Sequence, residues 1–382
     1  MTRPICLLAT IALASSLLAQ GPASPVPLVL RPIRNAPQTN SLLKVNVTAQ
    51  GYNLHLPWQK ESPQSSRGLG VVLEGNRVLV TGQMVADATY IELEQTDSGQ
   101  KIPAKVVAVD YEANLAIIAS AVPAEQQKAF FAGLKPMGID STGRIGDSVS
   151  IWQTGRVGDL IDTPLRISKV LTRRYIVEGS GFLVYEATGI IRSEANSFTL
   201  PVIKDGKLAG LLLTYDSKNQ VTTILPAPII EHFLKDFADG QYEGFPGLGM
   251  EFQVTLDGQL RDYLGLKPDS PGVLITSVSK GASAEKAGLK KGDILLAING
   301  NSIDSRGDYK DPQYGPLSAS NLVRGRAYVG EKFDIKVLRD GKEETLTGTL
   351  TRKSPDDYLV MPYLFDKGPR YFLMGGLLFQ EL

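Results

Sequence analysis

From Leu43 onward the chain falls into short runs in which apolar residues alternate with polar ones or stand together: Leu43–Val47, Gly70–Leu73, Arg77–Thr81, Thr89–Leu93, Ala104–Val109, Leu115–Ala119, Ser148–Trp152 and Ile167–Leu171. Gly, Asp, Asn and Ser punctuate these runs, and a helical period is nearly absent. Many short strands with turn signals predict an all-β barrel or sandwich. The first helical pattern comes late, in Ala227–Phe237, where Ile229, Ile230, Phe233, Leu234 and Phe237 share one face and leave His232 on the polar side. Asp239-Gly240 marks a break. A second unit then runs from Phe245 to Leu350, mixing strands with two helical candidates, Ser283–Gly288 and Ser318–Tyr328. A short aromatic strand, Tyr371–Phe379, follows, and no solenoid-type repeat is visible.

The first 40 residues follow neither pattern. A basic start at Arg3, an apolar run from Ile5 to Leu18 and small residues before Gly21 resemble a secretory signal peptide, so the mature chain is expected to be exported, periplasmic or secreted. An uncleaved anchor is the competing reading, though the run is short for a span and leads into Pro-rich sequence. Residues 21–40 read as a linker or arm. A length of 382 residues suits two or three domains. Lys plus Arg equals Asp plus Glu at 40 each, so no bulk field favours nucleic acid or an anionic membrane. Cys6, the one cysteine, would leave with the signal peptide, so no thiol, disulfide or cysteine metal site is expected in the mature chain. No metal-ligand cluster, phosphate loop or nucleic-acid motif has usable spacing, and no cofactor is expected.

The segment Val78-Leu-Val-Thr-Gly-Gln-Met-Val-Ala-Asp-Ala88 resembles, without a gap, the strand and turn carrying the general base in HtrA/Deg-type serine proteases, usually I-L-T-N-A-H-V-V. Gln83 stands where that pattern has histidine, and an amide cannot take a proton near neutral pH. The stretch Val107-Ala-Val-Asp-Tyr-Glu-Ala-Asn-Leu-Ala-Ile-Ile118 resembles the family's V-G-x-D-P-x-x-D-L-A-L-L, which puts Asn114 at the catalytic aspartate and Asp110 at a structural strand end. An aspartate-to-asparagine change lowers a trypsin-like triad by about four orders of magnitude. Gly189-Ile-Ile-Arg-Ser-Glu-Ala-Asn-Ser-Phe-Thr-Leu-Pro201 resembles D-A-A-I-N-x-G-N-S-G-G-P. Ser197 keeps the nucleophile position, with Gly206 nine residues on, but Gly189 replaces the aspartate, Ala195 the oxyanion-loop glycine, and Phe198-Thr199 the Gly-Gly pair. Those glycines let two N–H groups converge on an oxyanion, and residues with side chains are disfavoured where φ is positive. Thr222 replaces the glycine of the wall beside the specificity pocket. No substitute base is apparent: His55 is read in an arm before the first barrel strand, His232 on a polar helix face, and Lys204 in a turn with no reason to point back at Ser197.

The family resemblance extends to the C-terminal part and is nearest to plant-type Deg proteases, on Tyr52-Asn-Leu-His-Leu-Pro-Trp-Gln59 and Pro369–Phe379. It implies a mainly β fold: a trypsin-like double β-barrel over 41–240, a PDZ domain over 245–352, and a short C-terminal extension over 353–382, a remnant of the linker to a second PDZ domain. Pro271 to Gly300 closely resembles the family's PDZ core, with a helix capped by Ser283 and stopped by Gly288, and a tight turn at Asn299-Gly300. Such domains add a peptide as a strand and hold its carboxylate on the N–H groups of a glycine-containing loop. The matching loop is Gly247-Leu-Gly-Met250, with Gly249 admitting close approach and Leu248, Met250 and Phe252 lining a pocket opposite Leu322.

The resemblance implies an exported pseudoprotease whose PDZ domain binds peptide C-termini or unfolded segments, as scaffold, chaperone or regulator of protein quality control. Homo-oligomers, as in family trimers, or an active paralogue are the implied partners, with no membrane span after signal cleavage. The alternatives are an active serine endopeptidase with non-standard catalytic residues and a purely structural protein that uses neither groove.

Overall fold

The computed structural model describes residues 39–155, 159–177, 181–191, 199–267, 270–353 and 363–381. The expected leader and most of the arm, and the segment 192–198 with Ala195, Ser197 and Phe198, lie outside the described residues.

The first unit is the expected pair of barrels. Strands β1 (Leu42–Ala49), β2 (Gln64–Leu73), β3 (Arg77–Val80), β4 (Ala88–Gln95), β5 (Lys101–Asp110) and β6 (Leu115–Ser120) close in the order β1-β2-β3-β6-β5-β4. A second closed barrel has the order β10-β11-β12-β9-β8-β7, from β7 (Ser148–Thr154), β8 (Leu160–Arg174), β9 (Gly181–Thr188), β10 (Pro201–Lys204), β11 (Lys207–Asp216) and β12 (Val221–Pro226). The alternation in β1 works as a period-two pattern should: Val45 and Val47 are buried while Lys44 and Asn46 are half-buried. β3 and β6 instead read as continuous apolar runs because they are covered on both faces. Val78 and Val80 enter the core of the first barrel with Phe130, and their neighbour Leu79 joins the core shared with the second barrel.

Two short helices lie in this unit, α1 (Gly82–Val85) and α2 (Ala124–Phe131), and α3 (Ala227–Asp236) closes it. His232 does not lie on a polar face, because the second unit packs against that side of α3 and buries it. His55 lies in the connection between β1 and β2, exposed, and not before the first strand; the chain has already run one barrel strand before reaching it.

The second unit is built on the sheet β13-β14-β15-β19-β20, with β16 paired to β15. Its strands are β13 (Met250–Gln253), β14 (Val273–Val278), β15 (Ile294–Ile298), β16 (Asn301–Ser302), β19 (Lys332–Arg339) and β20 (Lys342–Thr349), and a separate hairpin is made by β17 (Asp308–Asp311) and β18 (Gly315–Ser318). Asn299 and Gly300, both at positive φ, turn β15 into β16. Three helices accompany the sheet: α4 (Gly258–Tyr263), α5 (Ser283–Lys286) and α6 (Ser320–Arg324). α6 is shorter than the pattern Ser318–Tyr328 predicts, because Ser318 ends β18 and the chain leaves the helix at Gly325. Ser283 is not the cap of α5: Ala282 takes that place, and the Ser283 hydroxyl donates instead to the Gly247 carbonyl at 2.9 Å. The closing aromatic run is two strands, β21 (Tyr371–Met374) and β22 (Leu377–Gln380), folded back at Gly375-Gly376 with both glycines at positive φ. The segment before this hairpin docks on the first barrel: Asp87 and Asp366 each accept the other's backbone N–H at 2.7 and 2.8 Å, and Tyr111 packs against Tyr363 and Phe365.

Candidate functional site

The positions that would carry a base and an acid come together between β3 and β6. α1 starts at Thr81 and is pressed onto the 110–115 loop by Gly82, where an added Cβ would lie 3.2 Å from the Asp110 carbonyl oxygen and 3.4 Å from the backbone of Asn114. The Gln83 side chain is exposed. Asn114 is 2% exposed and sits at a positive φ of 54°, a conformation asparagine tolerates better than most residues. Its Oδ1 accepts the backbone N–H of Gln83 at 2.8 Å. The two positions are therefore joined through the main chain of one and the side-chain amide of the other, and neither side-chain amide is a base near neutral pH.

The rest of the acid-bearing loop is tied down. Asp110 is 1% exposed; Oδ2 accepts from the Tyr242 hydroxyl at 2.6 Å and pairs with Arg352 at 3.0 Å, while Oδ1 accepts the Ala113 N–H at 2.8 Å. Burial pushes the Tyr242 phenol well above its ordinary range, reinforced by the neighbouring Asp110 charge. Glu112 pairs with Arg324 of α6, whose guanidinium also lies over the Phe182 ring at 5.0 Å. Tyr111 donates to Asp366. Sequence reading assigned Asp110 a structural place but missed these partners, which lie more than 130 residues away for Tyr242 and more than 200 for Arg352, Arg324 and Asp366.

Of the nucleophile motif, the described flanks are Gly189, Thr199 and Gly206. Gly189 has φ 157°, and a Cβ there would overlap Leu165, so this backbone has no room for the aspartate of the family pattern. Thr199 takes a positive φ of 44°, a strained setting for a β-branched residue. Three bonds offset that strain: its hydroxyl accepts the Thr81 N–H at 3.0 Å and pairs with the Thr81 hydroxyl at 2.6 Å, and its carbonyl accepts the Leu69 N–H at 3.1 Å. Thr199 thus bolts the chain just before β10 to the first barrel. Gly206 follows Asp205 in the hairpin turn between β10 and β11, both at positive φ, which accounts for a glycine there without reference to Ser197. Thr222 on β12 is fully buried, and its hydroxyl has no hydrogen-bond partner among the described residues. Lys204 donates to Asp147 at 2.6 Å and lies 3.6 Å from Asp140, and the bond to Asp147 holds its ammonium above the usual lysine range.

The second candidate region is the loop entering β13. Gly247 donates its N–H to the Thr351 carbonyl at 3.2 Å, and the carbonyls of Leu248 and Gly249 accept from Ala284 and Ser279 at 3.0 and 2.8 Å. The N–H groups of Leu248 and Gly249 find no acceptor among the described residues. Gly249 has φ 69°, and a Cβ on it would overlap Ala282. Leu248 and, on α6, Leu322 are buried in the core; Met250 is half-buried on β13, and Phe252 is 36% exposed with its ring against Gly307. β13 is an edge strand of its sheet, so one row of its backbone groups is open for pairing. Among the described residues, no group of three or more His, Cys, Asp or Glu could hold a metal, and no helix is long and apolar enough to cross a membrane.

Residues 274–311 match the family model described as PDZ domain. The chain is similar to Protease Do-like 4, mitochondrial, of Arabidopsis thaliana, at 28% identity over 90% of this chain and 64% of that protein, and to Protease Do-like 2, chloroplastic, of the same plant, at 26% over 92% and 56%. It also resembles a probable periplasmic serine endoprotease, DegP-like, of Marinomonas sp. at 24% over 89% and 68%. The chain spans less than two thirds of the length of both plant relatives. Among solved structures, HtrA-type protease AlgW with decapeptide superposes with a TM-score of 0.60 at 19% identity over 83% of this chain and 97% of that one. The same protease with tripeptide gives 0.61 at 21%, over 83% and 96%.

Proposed function

We propose that this chain, a homologue of the HtrA/Deg trypsin-like serine proteases that carry a PDZ domain, is an exported pseudoprotease that binds peptide C-termini or unfolded segments through the PDZ loop at Gly247–Met250. The observation that carries the loss of chemistry is the bond from the Gln83 N–H to Asn114 Oδ1. It keeps the frame that would orient a base against an acid, with two amides in it. Proton transfer to or from a serine hydroxyl needs a group whose pKa lies near the working pH, and an amide offers none.

The binding half rests on the two uncommitted N–H groups of Leu248 and Gly249 beside the open edge of β13. A terminal carboxylate would accept from both and extend the sheet by a strand, with its last side chain between Met250, Phe252 and Leu322. The peptides held by AlgW belong to that protease; here they support the reading as an analogy of fold. Export rests on the leader-like first 20 residues.

Two assays test the reading on the full chain. A fluorophosphonate probe and an unfolded protein substrate are expected to give neither labelling nor cleavage; labelling that disappears in Ser197→Ala would overturn the pseudoprotease. A C-terminal peptide library is expected to bind saturably and to lose about tenfold in affinity on amidation, the equivalent of one charge-assisted hydrogen bond. Gly249→Val, which puts a branched side chain on a left-handed backbone facing Ala282, is expected to lose at least as much. Equal affinity for acid and amide would remove the carboxylate from the proposal.

A further inference from the structure

His232 is enclosed in a three-layer stack built from three parts of the chain. The imidazole on α3 lies between Phe245 of the connection to the PDZ domain, centroids 4.4 Å apart, and Tyr328 of that domain, 4.0 Å apart and nearly parallel at 8°. It is 4% exposed. Its Nε2 lies 2.8 Å from the Ala327 carbonyl oxygen. A carbonyl only accepts, so Nε2 carries the hydrogen and Nδ1 holds a lone pair. Nδ1 is buried and has no partner among the described residues.

We propose that His232 is a proton-operated latch between the second barrel and the PDZ domain: the neutral ring holds Ala327 and Tyr328 against α3, and protonation releases them. The added proton must go to Nδ1, where it would create a buried N–H with no acceptor and a cation closed off from water. The neighbours do not supply that acceptor. On α3, Asp236 accepts the N–H groups of Glu243 and Gly244 through Oδ2 at 3.1 and 2.7 Å and makes no bond to Nδ1, and Lys235 lies over the Tyr328 ring at 5.1 Å. Phe245 brings no titratable group. From the PDZ side come Tyr328, Glu331 and Arg326, the last paired to Asp311. A cavity of about 370 Å³ lined by Glu231, His232, Lys235, Gln313, Arg326 and Tyr328 adjoins the ring and gives water a route to it once the stack loosens.

The sign follows from these surroundings. Burial holds the imidazole below the ordinary histidine range; the Ala327 carbonyl and the Asp236 and Glu331 carboxylates pull it back up in part, and Lys235 adds to the depression. With the latch open the ring titrates near its ordinary value of about 6.5. Between the two values the open form binds more protons, so the docked arrangement is fully favoured above about pH 6.5 and weakens as the pH falls toward the closed-state value. Each unit separating the two values changes the closed-to-open ratio tenfold.

The chain's two histidines make the test direct, since the exposed His55 is the one other imidazole whose ring signals need assigning. In the full protein, ring NMR signals assigned with His55→Gln are expected to show His232 titrating below the ordinary histidine value of about 6.5. Amide exchange protection over Leu322–Tyr328, corrected for intrinsic rates, is expected to fall as the pH drops from about 7.5 to about 5, in step with protonation of His232. His232→Gln, whose side-chain N–H can still donate to Ala327, is expected to remove that pH response. Equal losses in wild type and His232→Gln, or His232 titrating at or above about 6.5, would overturn the latch. Should His232→Gln fail to fold, the wild type decides alone: an exchange midpoint that does not follow the His232 titration would overturn the latch.

Discussion

The loop Asp110–Asn114 and the loop Gly247–Met250 each enter or leave a strand beside a domain boundary, and they treat their polar groups in opposite ways. In the first, Asp110, Tyr111, Glu112 and Asn114 each engage a partner: Arg352 with Tyr242, Asp366, Arg324 and the Gln83 N–H, respectively. In the second, the carbonyls of Leu248 and Gly249 are bonded inward while the N–H groups of the same residues are left over. Chemistry and recognition both need polar groups held short of satisfaction by the fold and aimed at a ligand. By that criterion the first loop acts as an anchor, and the second has the open N–H groups on which the proposed peptide binding rests. The anchor joins the first barrel to α6, to the segment after the PDZ sheet and to the segment before the terminal hairpin, so it ties together everything that follows the double barrel.

The largest effect should come from breaking the anchor. Arg352→Ala leaves the Asp110 carboxylate buried and without its cation, and removing one partner of a buried pair costs about 3–5 kcal/mol. Urea denaturation is expected to register that loss, with Asp110→Asn less damaging because the amide oxygen can still accept from the Ala113 N–H while the amide NH2, in the place of Oδ2, can donate to the Tyr242 hydroxyl. A loss below about 1 kcal/mol for Arg352→Ala, the size of an exposed pair, would mean the loop is merely decorated with charges and would erase the contrast.

A smaller effect separates the two halves of the Thr81–Thr199 bolt. Thr199→Val leaves the buried Thr81 N–H without its acceptor, a cost of about 1–3 kcal/mol, whereas Thr81→Val removes only the hydroxyl pair and is expected to cost about 1 kcal/mol. The order of the two values, read by the same denaturation, is the informative quantity. Thr81→Val the more damaging would place the acceptor role elsewhere than on Thr199.

The strand pattern made much of this fold legible, and the reasons for the exceptions are physical. β1 to β8 were visible in outline because each contains an alternating or compact apolar run, but β9 is buried at six successive positions between β8 and β12 and carries no period. His232 was placed on a polar face because α3 was read against one neighbour; the helix has two, the barrel on the Ile229 side and the PDZ domain on the other. The positions of Gln83 and Asn114 were legible from flanking residues, and the structure brings them within one hydrogen bond. The partners of Asp110 and Glu112 were not, since charge pairs separated by more than 200 residues leave no local spacing to read.

The smallest expected effect is the most direct probe of the comparison. Gln83→His restores the residue type of the family pattern at an exposed position, so its change in stability is expected to stay within about 0.5 kcal/mol. Cleavage of an unfolded substrate is expected to stay at background. The introduced imidazole would have Asn114 behind it, whose Oδ1 already accepts the residue-83 N–H and bears no charge to stabilise an imidazolium. That deficit alone lowers a trypsin-like triad about 10⁴-fold, and Ala195 and Phe198, at positions where the family pattern has glycine, would add to it. A rise in turnover of a hundredfold or more would show that the 110–114 loop can still release an oxygen toward residue 83, and the anchor would then have to be read as a site closed only at its base.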